Sequence, residues 1–253
     1  MAFKEKLYLS TIGSDSCKLA AKHGLGLEMA EFCTAVNLDE KRESWISSCK
    51  EKMRSSDRFT FHAPFNELCP FAVDPLVRDV SRRRYEQAYQ TARELGINRM
   101  VVHTGHIPIL YFDSFFAERS INFWRDFLRD KPEDFELLIE NVVDTDPKPI
   151  ADIMCGVNDK RCRVCLDVGH AFVSSKRDIN EWLDVLMPWI SHVHVHDNKG
   201  DFDRHLPLGD GNIDWESVLN RILDKSPDST FTLENMECAG SVRWLIEHGF
   251  IKE

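Results

Sequence analysis

Short apolar runs recur along the chain, separated by longer stretches whose apolar residues follow a helical period. Eight runs read as strands: KLYLSTI (6–12), GLGLEMAEF (24–32), RFTFHAP (58–64), RMVVHTG (99–105), FELLIEN (135–141), RCRVCLDVG (161–169), ISHVHVHD (190–197) and TFTLENM (230–236). They are short and mostly rich in Val, Ile, Leu and Phe, as parallel strands buried on both faces are. The clearest helix lies over 75–95, PLVRDVSRRRYEQAYQTAREL. Asp74 and Pro75 offer a cap and a first-turn proline, and Gly96 a stop. Leu76, Val80, Ala88, Ala92 and Leu95 fall close to one stripe. Further helices are predicted over roughly 39–53, 114–130, 147–157, 178–188, 214–224 and 238–248, with Asp214 as an N-cap.

Eight strand–helix alternations in 253 residues match a single α/β domain, a (β/α)8 TIM barrel over 1–253. A doubly wound open sheet is the runner-up, but no G-x-G-x-x-G follows the first strand.

Composition narrows the functional classes. The formal net charge of −10 argues against a general affinity for nucleic acid. No stretch approaches the roughly 18 apolar residues of a membrane span, and MAFKEKLYLSTIG does not read as a signal peptide. The eight cysteines are scattered, which fits reduced thiols in a cytoplasmic protein better than a disulfide framework. Cys162 and Cys165 form a C-x-x-C, but residues three apart on a strand point to opposite faces, so ordinary packing is expected.

The chemistry is written in position. His62, His103, Glu140, Asp167 with His170, His194 and Glu234 stand at or just past the ends of predicted strands three to eight. A barrel brings those ends to one rim, where active sites sit. Taken singly, a strand histidine is more often a hydrogen-bonded core residue than a ligand. A buried carboxylate is harder to dismiss, because it needs a partner. Glu140 in LIEN and Glu234 in TLEN have no adjacent Arg or Lys, so a shared cation is economical. Asp, Glu and His without Cys favour Zn, Mn or Co. In DVGH, Gly169 is expected to turn the chain so that Asp167 and His170 face the rim together. His192, His194 and His196 alternate with valine and share one face, so spacing does not choose the ligand among them. Asp203 and His205 follow on the next loop. Gly209-Asp210-Gly211 lies where many barrels hold a phosphate, but reads as a turn.

Taken together, FHAPFN (61–66), VVHTG (101–105), IEN, CLDVGHA (165–171), HVHDN with DRHLPLGDGNIDW (194–215) and LEN resemble the xylose isomerase-like barrel superfamily. That superfamily includes sugar isomerases, ketose 3-epimerases and the endonuclease IV family of abasic-site nucleases. The resemblance to its isomerase and epimerase branch implies one divalent metal on Glu140, Asp167, His194 and Glu234. The resemblance to endonuclease IV implies up to three zinc ions, with His62, His103, His170, Asp203 and His205 joining those four. Under either resemblance His194 is the strand-seven ligand, His192 lies deeper, and His196 lies nearer the mouth as a second-layer or substrate contact.

The first reading is a sugar or sugar-phosphate isomerase or epimerase holding one ion and working through an enediolate. Glu140 and Glu234 serve as acid and base, and His170 holds a substrate oxygen. The alternative is a trinuclear zinc phosphoester hydrolase, with Arg204 on a phosphate; only there is nucleic acid a substrate. Asn66 and His196 are further candidate substrate contacts. The acidic charge and short loops favour the first. A non-enzymatic sugar or metal sensor has no partner surface or second domain in its favour. Homo-oligomerisation is left open.

Overall fold

The computed structural model describes residues 2–252. Eight strands close into a parallel barrel in sequence order, with β8 returning to pair with β1. They are β1 Leu7–Ser10, β2 Gly26–Met29, β3 Phe59–His62, β4 Arg99–His103, β5 Glu136–Glu140, β6 Cys162–Asp167, β7 Ile190–Val195 and β8 Thr230–Leu233. Each lies inside the apolar run that predicts it. Nearly every strand residue is buried, because helices cover the outside and side chains fill the inside. The architecture is a single-domain (β/α)8 TIM barrel.

The helices are α1 Ser16–His23, α2 Val36–Asp39, α3 Arg42–Met53, α4 Pro75–Glu94, α5 Asp113–Leu128, α6 Lys148–Val157, α7 Val168–Ser174, α8 Ile179–Leu186, α9 Trp215–Lys225 and α10 Ala239–Glu247. A 3₁₀ turn, Phe3–Lys6, leads into β1. Trp124, Trp182 and Trp215 are among the largest fully buried side chains and line the inner faces of α5, α8 and α9. Burying an aliphatic or aromatic side chain of this class stabilises the fold by about 1.5–3 kcal/mol. Among the described residues no helix is long and apolar enough to cross a membrane.

Several local expectations change. Asp74 caps α4 as predicted, accepting from the Leu76 amide at 2.8 Å. Yet Leu76 and Val80 are exposed, and the inward face is Ser81, Tyr85, Ala88, Tyr89 and Ala92. The helix expected over 39–53 begins only at Arg42: Glu40 is extended and Lys41 adopts a left-handed φ of 53°, which separates α3 from the short α2 ending at Asp39. Helix α1 is an addition. So is α7, which begins directly at the end of β6. Gly169 therefore does not turn the chain; it lies inside α7. A Cβ there would meet the His196 ring at 2.2 Å, so the glycine makes room for that imidazole. All eight cysteines are free. Cys162 packs in the layer between barrel and helices, whereas Cys165 joins Val101 and Leu138 in a separate cluster.

Candidate metal centre

Six consecutive strands deliver the rim. His62, His103, Glu140 and Asp167 are the last residues of β3 to β6, His194 is the penultimate residue of β7, and Glu234 directly follows β8. Because the strands are parallel and in register, residues far apart in sequence converge: His103 pairs with Glu140, and Asp167 with His194.

Five overlapping groups of potential ligands result; His62–His194–Glu234 and Cys165–His192–His194 share members with the three sets that follow. His62, His103 and Glu140 form one, Glu140, Asp167, His194 and Glu234 a second, and His170, His196, Asp203 and His205 a third. Glu140 belongs to two of them. Its Oε2 lies 3.3 Å from His62 Nε2 and 3.2 Å from His103 Nε2. Its Oε1 lies 3.0 Å from His194 Nδ1, which is also 3.5 Å from Glu234 Oε2. In the third set, Asp203 Oδ2 lies 3.2 Å from His170 Nε2 and 3.0 Å from His205 Nε2.

The orientation of the imidazoles is informative. His62 Nδ1 donates to the Ala63 carbonyl at 2.9 Å, His170 Nδ1 to that of Asn141 at 3.1 Å, and His205 Nδ1 to that of Glu234 at 2.6 Å. Each leaves Nε2 facing a carboxylate. Metal-binding histidines are held this way, with the second nitrogen tied to a carbonyl or carboxylate. Glu140 Oε2 is buried and accepts no hydrogen bond of proper geometry although two imidazole nitrogens are near. Such an oxygen is costly to leave without a partner. A divalent ion between the three groups would answer that cost, so the donor set fits a metal.

Electrostatics point the same way. Burial opposes charge on His62, but the Glu140 carboxylate outweighs it and holds the imidazole up at about 9. Burial and Asp203 contend likewise at His205, which also stands near 9. His170 and His194 are raised well above the ordinary value, because neighbouring anionic groups outweigh burial. Burial wins at His103, which is lowered. Burial would raise Glu140, but His194 and His103 hold its carboxyl well below the usual range. Protons on imidazoles thus offset the cluster's carboxylates, and divalent ions would replace them.

Helix α7 starts at this rim. Asp167 is its N-cap, accepting from the His170 amide at 2.6 Å, so one turn holds both side chains toward the cluster. Asn141 fixes β5 to β6 by donating to the Asp167 carbonyl at 2.8 Å and accepting from the Asp167 amide at 2.9 Å. Asn235 donates to the His205 and Leu206 carbonyls. These are the asparagines of the IEN and LEN motifs, whose near-identity was the signal for them. The loop carrying Asp203 and His205 is held from below by Asp197, which accepts from the amides of Asn198, Gly209 and Ile213 at 2.8, 3.0 and 3.2 Å. The Gly209 amide is thereby occupied, and Gly209 serves the turn with a φ of 86°. His205 takes a left-handed φ of 47°, a conformation that costs a non-glycine residue and is held here by its contacts.

A cavity of about 290 Å³ opens above, lined by Ile12, Ala30, Cys33, Phe65 and Val142 together with His62, His103, Glu140, His170, Asp203, His205 and Glu234. Its lining contains no Lys or Arg. Three expected substrate contacts lie outside it. Arg204 turns to Asp201, with its Nε at 2.8 Å. Asn66 is exposed, beside Glu67, whose φ of 58° bends the chain. His196 is fully buried rather than at the mouth; its Nε2 donates to Asp167 at 3.0 Å and its ring stacks on His205 at 3.9 Å. His192 lies deeper, with its Nε2 3.1 Å from Glu28. Glu28 was not singled out from the sequence, although a glutamate inside the apolar run GLGLEMAEF was a visible signal.

Comparison with known proteins agrees with this geometry. The family described as xylose isomerase-like TIM barrel matches residues 17–248. An uncharacterized protein of Methanocaldococcus jannaschii is 29% identical over 209 residues, 77% of this chain and 71% of that one. A probable endonuclease 4 of Mycobacterium leprae is 27% identical over 170 residues, 62% of this chain and 66% of its own length. Among solved structures, a Thermus thermophilus protein soaked with ZnCl2 is 26% identical with a TM-score of 0.78, covering 96% of this chain and 98% of that one. A D-tagatose 3-epimerase-like protein is 25% identical with a TM-score of 0.77, covering 96% of each chain. The chain belongs to the xylose isomerase-like TIM barrel family.

Proposed function

We propose that the protein is a metal-dependent phosphoester hydrolase acting on a small phosphorylated molecule. The observation that supports this is the third ligand set, His170, His196, Asp203 and His205, standing beside the two sets that share Glu140. A one-ion enzyme would carry it only as polar lining of the cavity. Charge supports the same choice. Glu140, Asp167, Glu234 and Asp203 put four carboxylates at the rim. With a single divalent ion the remaining charge is offset only by imidazole protons, which are lost as pH rises; three ions leave the site net positive without them. Imidazole and carboxylate ligands suit zinc, with manganese or cobalt as alternatives.

Divalent ions bound there supply Lewis acidity toward a phosphoryl oxygen and lower the pKa of water. The chain's own groups do the rest. Glu234 would take the proton from the water that attacks phosphorus and later release it to solvent, while the ester P–O bond breaks and the alkoxide takes a proton from solvent as it leaves as the alcohol. Glu140 fixes the spacing of the two sets it joins. His170 and His205 hold Asp203 toward the cavity. Phe65, Ile12 and Val142 wall the cavity and limit water. The acidic chain and a lining without Lys or Arg favour a small phosphoester over duplex DNA.

A second reading, the sugar or sugar-phosphate isomerase or epimerase, is supported by His194 Nδ1 lying between Glu140 at 3.0 Å and Glu234 at 3.5 Å. Two carboxylates so placed can take and return a proton on a substrate carbon. Metal analysis of the purified, unchelated protein separates the two. About three ions per chain, with hydrolysis of small phosphomonoesters or of bis(p-nitrophenyl) phosphate, supports the hydrolase. One ion, with deuterium washout from a ketose, overturns it. Cleavage confined to abasic-site duplex keeps the chemistry and changes the substrate.

A further inference from the structure

Glu28 is a further carboxylate beneath this rim, and it belongs to none of the three ligand sets. It lies on β2 and is fully buried. Strand β2 bonds only to β1 and β3, so any contact from Glu28 to β7 or β8 crosses the barrel interior. It makes three such contacts. His194 Nε2 lies 3.1 Å from Oε1, which accepts no hydrogen bond of proper geometry, and donates to Oε2 at 3.4 Å. Oε2 lies 3.1 Å from His192 Nε2 and accepts from Thr232 Oγ1 at 3.1 Å. Among the described residues its ion pairs run to these two histidines alone, with no Lys or Arg.

His194 is thus held from both sides. Its Nδ1 faces Glu140, Asp167 and Glu234, and its Nε2 faces Glu28. A proton on Nε2 directed at Glu28 leaves the Nδ1 lone pair for an ion in the four-ligand set. His62, His170 and His205 use neutral backbone carbonyls for that purpose. His194 alone among them uses a buried carboxylate, which orients the ring and also raises its basicity as a ligand.

We propose that Glu28 is the positioning residue of the metal centre: it fixes the tautomer and ring orientation of His194 from across the barrel, making the Glu140–Asp167–His194–Glu234 set the tightest of the three. The inference rests on the reading that the rim holds metal, and not on which reaction follows. It also assigns a role to the first glutamate of the run GLGLEMAEF, Glu28, which has no place in the catalytic scheme.

The test compares wild type, Glu28→Gln and His192→Gln by chelator competition with zinc, counting ions per chain. Glu28→Gln keeps the side-chain size and removes the charge. It is expected to lose about 10–100-fold in affinity for one ion, with the others unchanged. His192→Gln removes the other imidazole on Glu28 and is expected to retain wild-type affinities. Long-range ¹H–¹⁵N correlation spectra of zinc-loaded wild type are expected to show His194 protonated at Nε2. That measurement decides the matter if Glu28→Gln does not fold. Unchanged affinities in Glu28→Gln, an equal loss in His192→Gln, or a His194 proton on Nδ1 would overturn the proposal. A wild-type protein that takes up no divalent ion would instead sink the metal reading beneath it.

Discussion

His62 Nε2 lies 3.3 Å from Glu140 Oε2, and no hydrogen bond of proper geometry joins them. Nitrogen and oxygen point at a shared space, as ligands of one ion do. Since Glu140 also serves the four-ligand set, Glu140→Gln should remove two ions where other ligand substitutions remove one. The affinity loss should exceed the about 10–100-fold typical of an outer partner. Elemental analysis of the dialysed variant reads the count directly. Retention of full metal content would mean that the carboxylate is only a hydrogen-bond acceptor.

His205→Ala should act on one set alone. The variant is expected to lose the ion of the His170–Asp203 set and keep the rest, with phosphoester turnover falling by roughly 10²–10³, the usual cost of losing a preorganised charge at the reacting group. If turnover falls while the ion count is unchanged, His205 acts on substrate instead.

The raised imidazoles give the metal-free protein a characteristic pH response. His62 and His205 stand near 9 in the fold against an ordinary 6.5. A group raised in the folded state contributes stability that is fully present below its unfolded pKa and is lost as pH rises through the folded one. Chelated protein should therefore lose stability between pH 6.5 and about 9, by on the order of a few kcal/mol for buried His62. Metal uptake should strengthen over the same interval, because ions displace those protons. Melting curves with and without zinc should diverge as pH rises. Parallel curves would count against the ion-for-proton exchange.

Gly169→Ala sets two effects against each other. Alanine favours a helix interior over glycine by about 1 kcal/mol. The added Cβ would meet the His196 ring at 2.2 Å, and overpacking of that kind costs about 1–3 kcal/mol. The steric effect should win, lowering the midpoint of chemical denaturation. A stabilised variant would mean that the ring moves aside freely.

The strands were legible because each is an apolar run, and strand order then followed from the right-handed βα repeat. Most rim ligands were legible for the same reason: once strand ends converge, their sequence separation stops mattering. What escaped had weak or double signals. Helix α1, SCKLAAKH, buries only Ser16 and Ala20 and so has almost no apolar stripe. Helix α7 begins within the strand motif, where Asp167 carries two roles and only one is visible from residue type. Leu76 and Val80 have the spacing of a core stripe but nothing above them. Arg204 looked available to a phosphate, but its guanidinium is paired with its acidic neighbour Asp201.

The capping bond from the His170 amide to Asp167 gives the molecule a built-in gauge of occupancy. The carboxylate that would share its charge with an ion is the one that closes the first turn of α7. Hydrogen–deuterium exchange at that single amide, and the chemical shift it carries, would therefore follow filling of the centre without any need for turnover.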